Sequence, residues 1–240
     1  MLRFSNVGYR AGGRDILRGL TFDLAEGQTL VLLGRSGSGK TTALKMVNAL
    51  ILPTAGEVLV EGRATTAWNP IELRRRIGYV IQETGLFPHY TVAANVAVVP
   101  RLNGWQPERI ETRVHELLMR VGLPPKEYAS RYPRELSGGQ RQRVGVARAL
   151  AADPPILLFD EPFGALDPVT RREVRVEFNA LARGLGKTTL FVTHDVSEAL
   201  KLGDQIGLLA DGRLEELLPA SQFKHAQSAE ARAFLAVLED

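Results

Sequence analysis

A glycine-rich segment at residues 34–41, GRSGSGKT, constrains the fold of this chain more than any other feature. It matches the pattern G-x-x-x-x-G-K-[ST] at every fixed position. The apolar run TLVLL before it predicts a short buried strand. The apolar stripe of Leu44, Val47 and Leu50 predicts a helix over residues 40–50. A strand, a glycine-rich turn and a helix start together aim backbone N–H groups at a phosphate, so we predict a phosphate-binding loop.

The charge of the expected ligand gives individual residues of this loop a role. A helix N-terminus supplies only about half a positive charge, which cannot balance a nucleotide triphosphate. Lys40 adds a full charge near the β- and γ-phosphates, and Thr41 adds a hydroxyl ligand for Mg²⁺. The residues expected to bind the nucleotide are Gly34, Arg35, Ser36, Gly37, Ser38, Gly39, Lys40 and Thr41.

Two adjacent carboxylates form a second candidate site. Residues 156–159, ILLF, predict a strand buried on both faces, and Asp160 and Glu161 follow at its C-terminal end. Open α/β sheets place their ligands at this end. Successive side chains of a strand point in opposite directions, so we expect the two acids to have different roles. We predict that Asp160 holds Mg²⁺, directly or through water, and that Glu161 accepts a proton from the attacking water or orients it.

The segment LSGGQ at residues 136–140 gives a third candidate site. Ser137 is a favourable N-cap for the helix that follows, and Gly138 and Gly139 allow a phosphate to approach the backbone closely. One interpretation is a second anion-binding helix start, which one copy of the chain offers to a nucleotide held by another copy. The other interpretation is an ordinary capped helix. The residues alone leave both interpretations open.

The order of the predicted elements indicates an α/β fold. Antiparallel strands over residues 2–24 and strands at 57–61, 77–82, 156–159 and 188–193 alternate with helices at 70–76, 168–183 and 196–202. Helical segments between residues 91 and 121 are interrupted near Pro100 and Pro107. A hairpin over residues 205–218 turns at Asp211 and Gly212, and a helix covers residues 228–238.

This pattern predicts one domain over residues 1–240, a phosphate-loop NTPase. Its nucleotide-binding core, at residues 1–82 and 151–240, has a largely parallel sheet and an antiparallel N-terminal β part. A helical subdomain covers residues 83–150 and carries LSGGQ.

Composition excludes several other classes of protein. The absence of cysteine excludes disulfides and cysteine-based zinc sites. The net charge is only +3 and the basic residues alternate with acids, so nucleic acid is not an expected partner. The run at residues 74–76, RRR, is expected to be a solvated helix face. No apolar run approaches the ~20 residues of a membrane-spanning helix, and the N-terminus lacks the pattern of a secretory signal.

The motifs GRSGSGKT, LSGGQ and ILLFDE, in this order, resemble those of the ATPase subunit of an ATP-binding cassette (ABC) transporter. The resemblance covers nearly the whole chain and implies that ATP is the nucleotide. It implies that Gln82 touches Mg²⁺ or water, that His194 contacts the γ-phosphate and that Tyr9 stacks on adenine. It also implies that Asp167 lies near the seam between two copies.

By this resemblance two copies of the chain sandwich two ATP molecules. The groups implied for catalysis are Lys40, Gln82, Glu161 and His194, and those implied for Mg²⁺ are Thr41, Gln82 and Asp160. One copy would supply these groups together with Tyr9 and the loop through Thr42, and the other copy would supply Ser137, Gly138, Gly139 and Gln140.

Residues 77–105 and 131–171 are similar to ATPase subunits of importers for quaternary-amine osmoprotectants such as glycine betaine, carnitine and choline. The implied partners are two integral-membrane permease subunits, which would dock at residues 83–105, and an extracytoplasmic solute-binding protein. The chain would then lie at the cytoplasmic face of the cell membrane. Alternatives are an importer of another small solute such as an amino acid, a multi-subunit exporter and, remotely, a non-transport ABC ATPase that acts on nucleic acid. Since the sequence ends at Asp240, the regulatory C-terminal CBS domains of some such relatives are not expected.

Overall fold

The computed structural model describes residues 1–82, 84–164, 167 and 186–238. The chain divides into two compact units. The first unit is formed by Met1–Arg74 and Gly186–Asp240, and the second unit by Arg75–Leu185. The helix predicted over residues 168–183 lies outside the described residues, as do Glu83, Ala165 and Leu166. The predicted subdomain boundaries at residues 83 and 150 stay a prediction.

The first unit contains an antiparallel sheet near the N-terminus, as predicted. Strands β1 (Leu2–Ala11) and β2 (Arg14–Leu24) pair through a tight turn at Gly12 and Gly13, both with positive φ. On its other side β1 pairs with β4 (Ala55–Val60), which pairs with the short β5 (Arg63–Ala64). The buried positions of β2 alternate towards its end, which places one face of this sheet against the core.

A second set of strands in the first unit is mainly parallel. Strand β3 (Thr29–Leu33) lies between β8 (Thr188–Thr193) and β9 (Gln205–Ala210) and is parallel to both. Strand β10 (Arg213–Pro219) pairs antiparallel with β9 through the predicted turn at residues 211–212. Residues 30–33 of β3 are fully buried, as expected for a strand covered on both faces.

The helices of the first unit are α1 (Lys40–Val47), α2 (Pro70–Arg75), α8 (Val196–Leu202) and α9 (Ala229–Ala236). The prediction that α1 reaches Leu50 is wrong. Ala49 adopts a left-handed conformation with φ 51°, and the N–H groups of Leu50 and Ile51 both donate to the carbonyl of Lys45. This turn ends the helix and leaves Leu50 51% exposed instead of on the buried stripe.

The second unit combines two parallel strands with helices. Strands β6 (Ile77–Val80) and β7 (Ile156–Asp160) pair in parallel. The α-helices among its described residues are α3 (Val92–Val96), α4 (Val98–Leu102), α5 (Pro107–Arg120), α6 (Pro125–Tyr128) and α7 (Gly138–Leu150). The interruption predicted near Pro100 falls instead at Ala97, because Pro100 lies in the first turn of α4, where no intrahelical N–H bond is required.

Candidate functional site

The glycine-rich loop of the first unit joins β3 to α1. Gly39 is the N-cap of α1 with φ 103°, a conformation that L residues rarely adopt. A Cβ on Gly39 would lie 2.6 Å from Leu17 Cδ2, and a Cβ on Gly34 would lie 2.2 Å from the carbonyl oxygen of Leu209. Both glycines are therefore required by close packing at this point.

The ammonium of Lys40 lies inside this loop. Lys40 is only 4% exposed, and its Nζ donates to the carbonyl oxygens of Gly34 at 2.8 Å and Arg35 at 2.9 Å. The hydroxyl of Ser38 is buried and has no hydrogen-bond partner within the part of the chain that the structure describes. The first N–H groups of α1 have no acceptor within the helix. A buried cation, a buried hydroxyl and these N–H groups together fit a bound phosphate.

Tyr9 lies on the strand next to this loop. Its register partner on β2 is Leu17, the residue whose side chain packs against Gly39. Directly opposed residues of an antiparallel pair share a face of the sheet, so Tyr9 lies on the face that carries the loop. Its side chain is half-buried, which leaves part of the ring available for stacking.

His194 follows β8 at the edge of the sheet from which the loop leaves β3. In the parallel register Leu33 lies opposite Thr193, so the next residues, Gly34 and His194, leave neighbouring strands at the same level. Adjacent strands are about 4.8 Å apart. The side chain of His194 is exposed. The structure therefore places His194 near the start of the phosphate loop, and its contact with a γ-phosphate stays a prediction.

The turn that carries His194 is fixed by its neighbours. The hydroxyl of Thr193 donates to the buried carboxylate of Glu198 at 2.6 Å and accepts from the N–H of Asp195 at 3.0 Å. Asp195 caps α8 by accepting from the N–H of Ser197 at 2.7 Å. These bonds hold the backbone on both sides of His194.

Asp160 is the last residue of β7 in the second unit and is 6% exposed. The hydroxyl of Tyr79 donates to its Oδ2 at 3.2 Å. Desolvation by burial raises the pKa of the Tyr79 phenol, and the negative charge of Asp160 and this hydrogen bond raise it further. The carboxylate of Asp160 is of the ligand type that Mg²⁺ prefers.

Tyr79 was not among the predicted site residues. In the parallel register Tyr79 lies opposite Leu158, and Leu158 and Asp160 share a face of β7 because side chains alternate. The phenol can therefore reach the carboxylate diagonally. The register of the two strands, which fixes this contact, was not available from the sequence.

Glu161 and Gln82 approach each other around Gly164. Glu161 has φ 44°, and its carbonyl accepts from the N–H of Gly164 at 3.1 Å, which closes a tight turn directly after β7. Gln82 Nε2 and Glu161 Oε2 lie 3.4 Å and 3.7 Å from the position of a Cβ on Gly164. A left-handed backbone costs about 1–2 kcal/mol for a residue other than glycine, so this turn is held against strain. The sequence predicted both polar residues but missed Gly164.

Ser137 and Gln140 form a capping box at the start of α7. The hydroxyl of Ser137 accepts from the N–H of Gln140 at 3.2 Å, and the side-chain oxygen of Gln140 accepts from the N–H of Ser137 at 2.9 Å. As an acceptor in this bond, the Ser137 hydroxyl keeps its own proton for donation to an anion. Ser137 is exposed, Gly138 is half-buried and Gly139 is buried. Asp167 is exposed, and the two residues before it lie outside the described residues.

The predicted residues thus divide between the two units. Those in the first unit are Tyr9, Gly34, Arg35, Ser36, Gly37, Ser38, Gly39, Lys40, Thr41, Thr42 and His194. Those in the second unit are Gln82, Ser137, Gly138, Gly139, Gln140, Asp160, Glu161 and Asp167. Within the described residues no helix combines the length and the apolar composition required to span a bilayer.

Comparison with known proteins identifies relatives of this chain. Residues 17–164 match the family model described as ABC transporter. The glycine betaine/carnitine/choline transport ATP-binding protein OpuCA of Bacillus subtilis is 49% identical over 220 residues, which cover 88% of this chain and 58% of that protein. The glycine betaine uptake system ATP-binding protein YehX of Escherichia coli is 49% identical over 214 residues, which cover 89% of this chain and 69% of that protein. The chain therefore spans little more than half the length of the first of these relatives.

A solved structure gives the same fold. It is a dimeric ATP-binding cassette in a post-hydrolysis state bound to ADP and Pi, with a TM-score of 0.80 and 35% sequence identity. The match covers 92% of this chain and 99% of the solved chain. The α/β fold with a phosphate loop, predicted from the sequence, is thereby confirmed.

Proposed function

The chain belongs to the ABC transporter family, and from this membership we propose that it binds and hydrolyses ATP as the ATP-binding subunit of an importer. One observation carries the ATP-binding part of the proposal. The buried ammonium of Lys40 lies inside a loop with two tightly packed glycines, and the buried hydroxyl of Ser38 lies in the same loop. This combination of groups suits the phosphates of a nucleotide.

The residues of the two units have complementary roles in this proposal. Lys40 and the first N–H groups of α1 bind the phosphates, and Tyr9 stacks on the adenine. Thr41, Gln82 and Asp160 hold Mg²⁺, which neutralises phosphate charge when it is bound. Their side-chain oxygens are the ligand type that this ion prefers.

Glu161 is the proposed general base or water-orienting group, and Gln82 and His194 position the water and the γ-phosphate. Phosphoryl transfer depends mainly on positioning and electrostatic stabilisation. The turn around Gly164, which brings Glu161 and Gln82 near each other, supports this assignment.

Two copies of the chain form the working ATPase in this proposal. The exposed hydroxyl of Ser137 and the backbone of Gly138 and Gly139 bind the nucleotide held by the other copy, and Asp167 lies near the seam. The solved relative described above is dimeric, which supports this arrangement. ATP would then act as a ligand that binds the closed pair more tightly than the separate copies.

We further propose that the imported solutes are quaternary-amine osmoprotectants. The relatives named for glycine betaine, carnitine and choline transport are 49% identical to this chain, which supports this choice. The partners are two integral-membrane permease subunits and, indirectly, an extracytoplasmic solute-binding protein, so the chain works at the cytoplasmic face of the membrane. Transport assays on the chain co-purified with its permease test this part. Uptake of glycine betaine, choline or carnitine supports it, and uptake of methionine alone contradicts it.

The binding role of Lys40 gives the test of the ATPase proposal. Lys40→Ala removes a charge-assisted contact worth about 1.5–3 kcal/mol. We expect the Kd for ATP to rise about 10-fold to 100-fold, with ATP turnover lost. Equilibrium binding of a fluorescent ATP analogue and release of phosphate measure the two quantities.

Lys45→Ala is the matched control. Lys45 lies about one turn further along α1, and in the part of the chain that the structure describes the lysine that donates to the loop carbonyls is Lys40. This control is expected to bind and hydrolyse ATP as the unmodified chain does. An unchanged Kd for ATP in Lys40→Ala would refute the role of Lys40.

A further inference from the structure

Arg148 in the last turn of α7 holds a segment of backbone that follows Gln82. Its guanidinium donates through Nη1 to the carbonyl of Gly85 at 2.7 Å and through Nη2 to the carbonyl of Thr84 at 2.8 Å. The planar fork of an arginine suits two such acceptors, whereas a lysine ammonium is a single point charge. Burial lowers the pKa of Arg148, but an arginine stays protonated in proteins. The two carbonyls therefore solvate a partly buried cation.

The backbone before and after Gln82 packs against the same half of α7. Before Gln82, a Cβ on Gly78 would lie 2.5 Å from the carbonyl oxygen of Ala149, so β6 lies directly on the helix. After Gln82, the carbonyl oxygen of Thr84 lies 3.9 Å from the position of a Cβ on Gly145, about one turn before Arg148. Gln82 is therefore bracketed by two contacts with α7, and Arg148 makes the hydrogen bonds of the second.

These contacts hold the backbone on both sides of Gln82. Its Nε2 lies 3.4 Å from the position of a Cβ on Gly164, near the carboxylate of Glu161. We propose that Arg148 is a positioning residue for ATP hydrolysis, which keeps Gln82 beside Glu161 by holding the Thr84–Gly85 backbone on α7. This inference rests on the ATPase function proposed above. Because Ser137 caps the other end of α7, Arg148 also ties the Gln82 segment to the helix that carries the Ser-Gly-Gly tip.

The first test is Arg148→Lys, which keeps the positive charge but loses the fork. We expect kcat for ATP hydrolysis to fall about tenfold or more, because small displacements of a positioned group are costly, while the Kd for ATP stays unchanged. Arg143→Lys is the matched control on the same helix, since Arg143 donates to the carbonyl of Val121 at 3.1 Å, in the turn after α5. This control is expected to keep kcat.

The second test separates positioning from simple stability. If Arg148 acts through Gln82, Arg148→Lys has no further effect on kcat in a Gln82→Ala background. The proposal would be overturned if Arg148→Lys lowered kcat by the same factor in both backgrounds. It would also be overturned if Arg143→Lys lowered kcat as much as Arg148→Lys does. Unchanged kcat in Arg148→Lys would overturn it as well.

A second variant decides the question if Arg148→Lys does not fold, which circular dichroism shows. Gly145→Leu places a side chain towards the Thr84 carbonyl while Arg148 is intact, and leucine favours a helix more than glycine does. It is expected to lower kcat without changing the Kd for ATP, and unchanged kcat would overturn the proposal. The experiment also separates failure of the ATPase proposal from failure of the Arg148 proposal. If the unmodified chain hydrolyses no ATP, both proposals are overturned. If the unmodified chain hydrolyses ATP and Arg148→Lys has the same kcat, only the positioning role of Arg148 is overturned.

Discussion

Tyr79 links the stability of the second unit to its candidate Mg²⁺ ligand. Its phenol is partly buried and donates to Asp160, and both burial and the carboxylate raise its pKa above the ordinary value. A raised pKa means that the folded state stabilises the protonated phenol. This stabilisation is complete below the pKa of an unfolded tyrosine, about 10, and is lost as the pH rises above it.

We therefore predict that Tyr79→Phe lowers the free energy of unfolding at pH 7 by about 1.5–3 kcal/mol, the usual value of a hydrogen bond to a charged group. The difference between Tyr79→Phe and the unmodified chain narrows above about pH 10. Urea denaturation at pH 7 and pH 10.5 measures both values. Tyr90→Phe is the control, because Tyr90 is 38% exposed. A difference that stays constant with pH would contradict the account of Tyr79.

At the scale of elements, the N-terminus of α7 has both a structural and a proposed binding role. The capping box of Ser137 and Gln140 satisfies N–H groups that a helix start otherwise leaves without acceptors. If the structural role were the only one, loss of the Ser137 hydroxyl would change stability alone. The proposed contact with a nucleotide held by the other copy requires that ATP-dependent pairing changes too.

Ser137→Ala is predicted to destabilise the chain by about 0.5–2 kcal/mol, as for other lost N-caps, and also to weaken ATP-dependent dimerisation. Ser228→Ala is a matched control, because Ser228 caps α9 by accepting from the N–H of Ala231 at 3.1 Å. It is expected to lose similar stability and to dimerise normally. Thermal melts and sedimentation with ATP measure the two effects. Equal dimerisation in the two variants would leave Ser137 with a capping role only.

The elements around the site show which features the sequence could predict. The phosphate loop was predictable because its glycines, Lys40 and the flanking strand and helix are local in the chain. The end of α1 was not, because Ala49 carries no sequence signal for a left-handed conformation. Tyr79 and Arg148 were missed for a different reason. Tyr79 is 81 residues away from its partner Asp160 in the sequence. Arg148 is 64 and 63 residues away from Thr84 and Gly85. Only the packed fold brings these partners together.

At the scale of the whole molecule, the sequence predicted the fold class and the family through three motifs in the expected order. It did not predict how the backbone holds the site, such as the turn of Glu161 around Gly164. That turn depends on tertiary packing, because a non-glycine residue with positive φ is unfavourable by itself.

The central proposal for the whole molecule is that two copies close around ATP and that Glu161 is required to open them again by hydrolysis. Glu161→Gln keeps the size of the side chain but removes the basic carboxylate. Loss of a general base typically lowers turnover by about 10²–10⁴-fold. Glu26→Gln, at an exposed turn of the first unit, removes the same charge elsewhere and is the control.

Sedimentation velocity of Glu161→Gln with ATP, with ADP and without nucleotide is the most direct measurement of this claim. We predict a stable dimer with ATP, monomers in the other two conditions and almost no phosphate release. A variant that binds ATP and stays monomeric, or that hydrolyses ATP at the rate of the unmodified chain, would contradict the account.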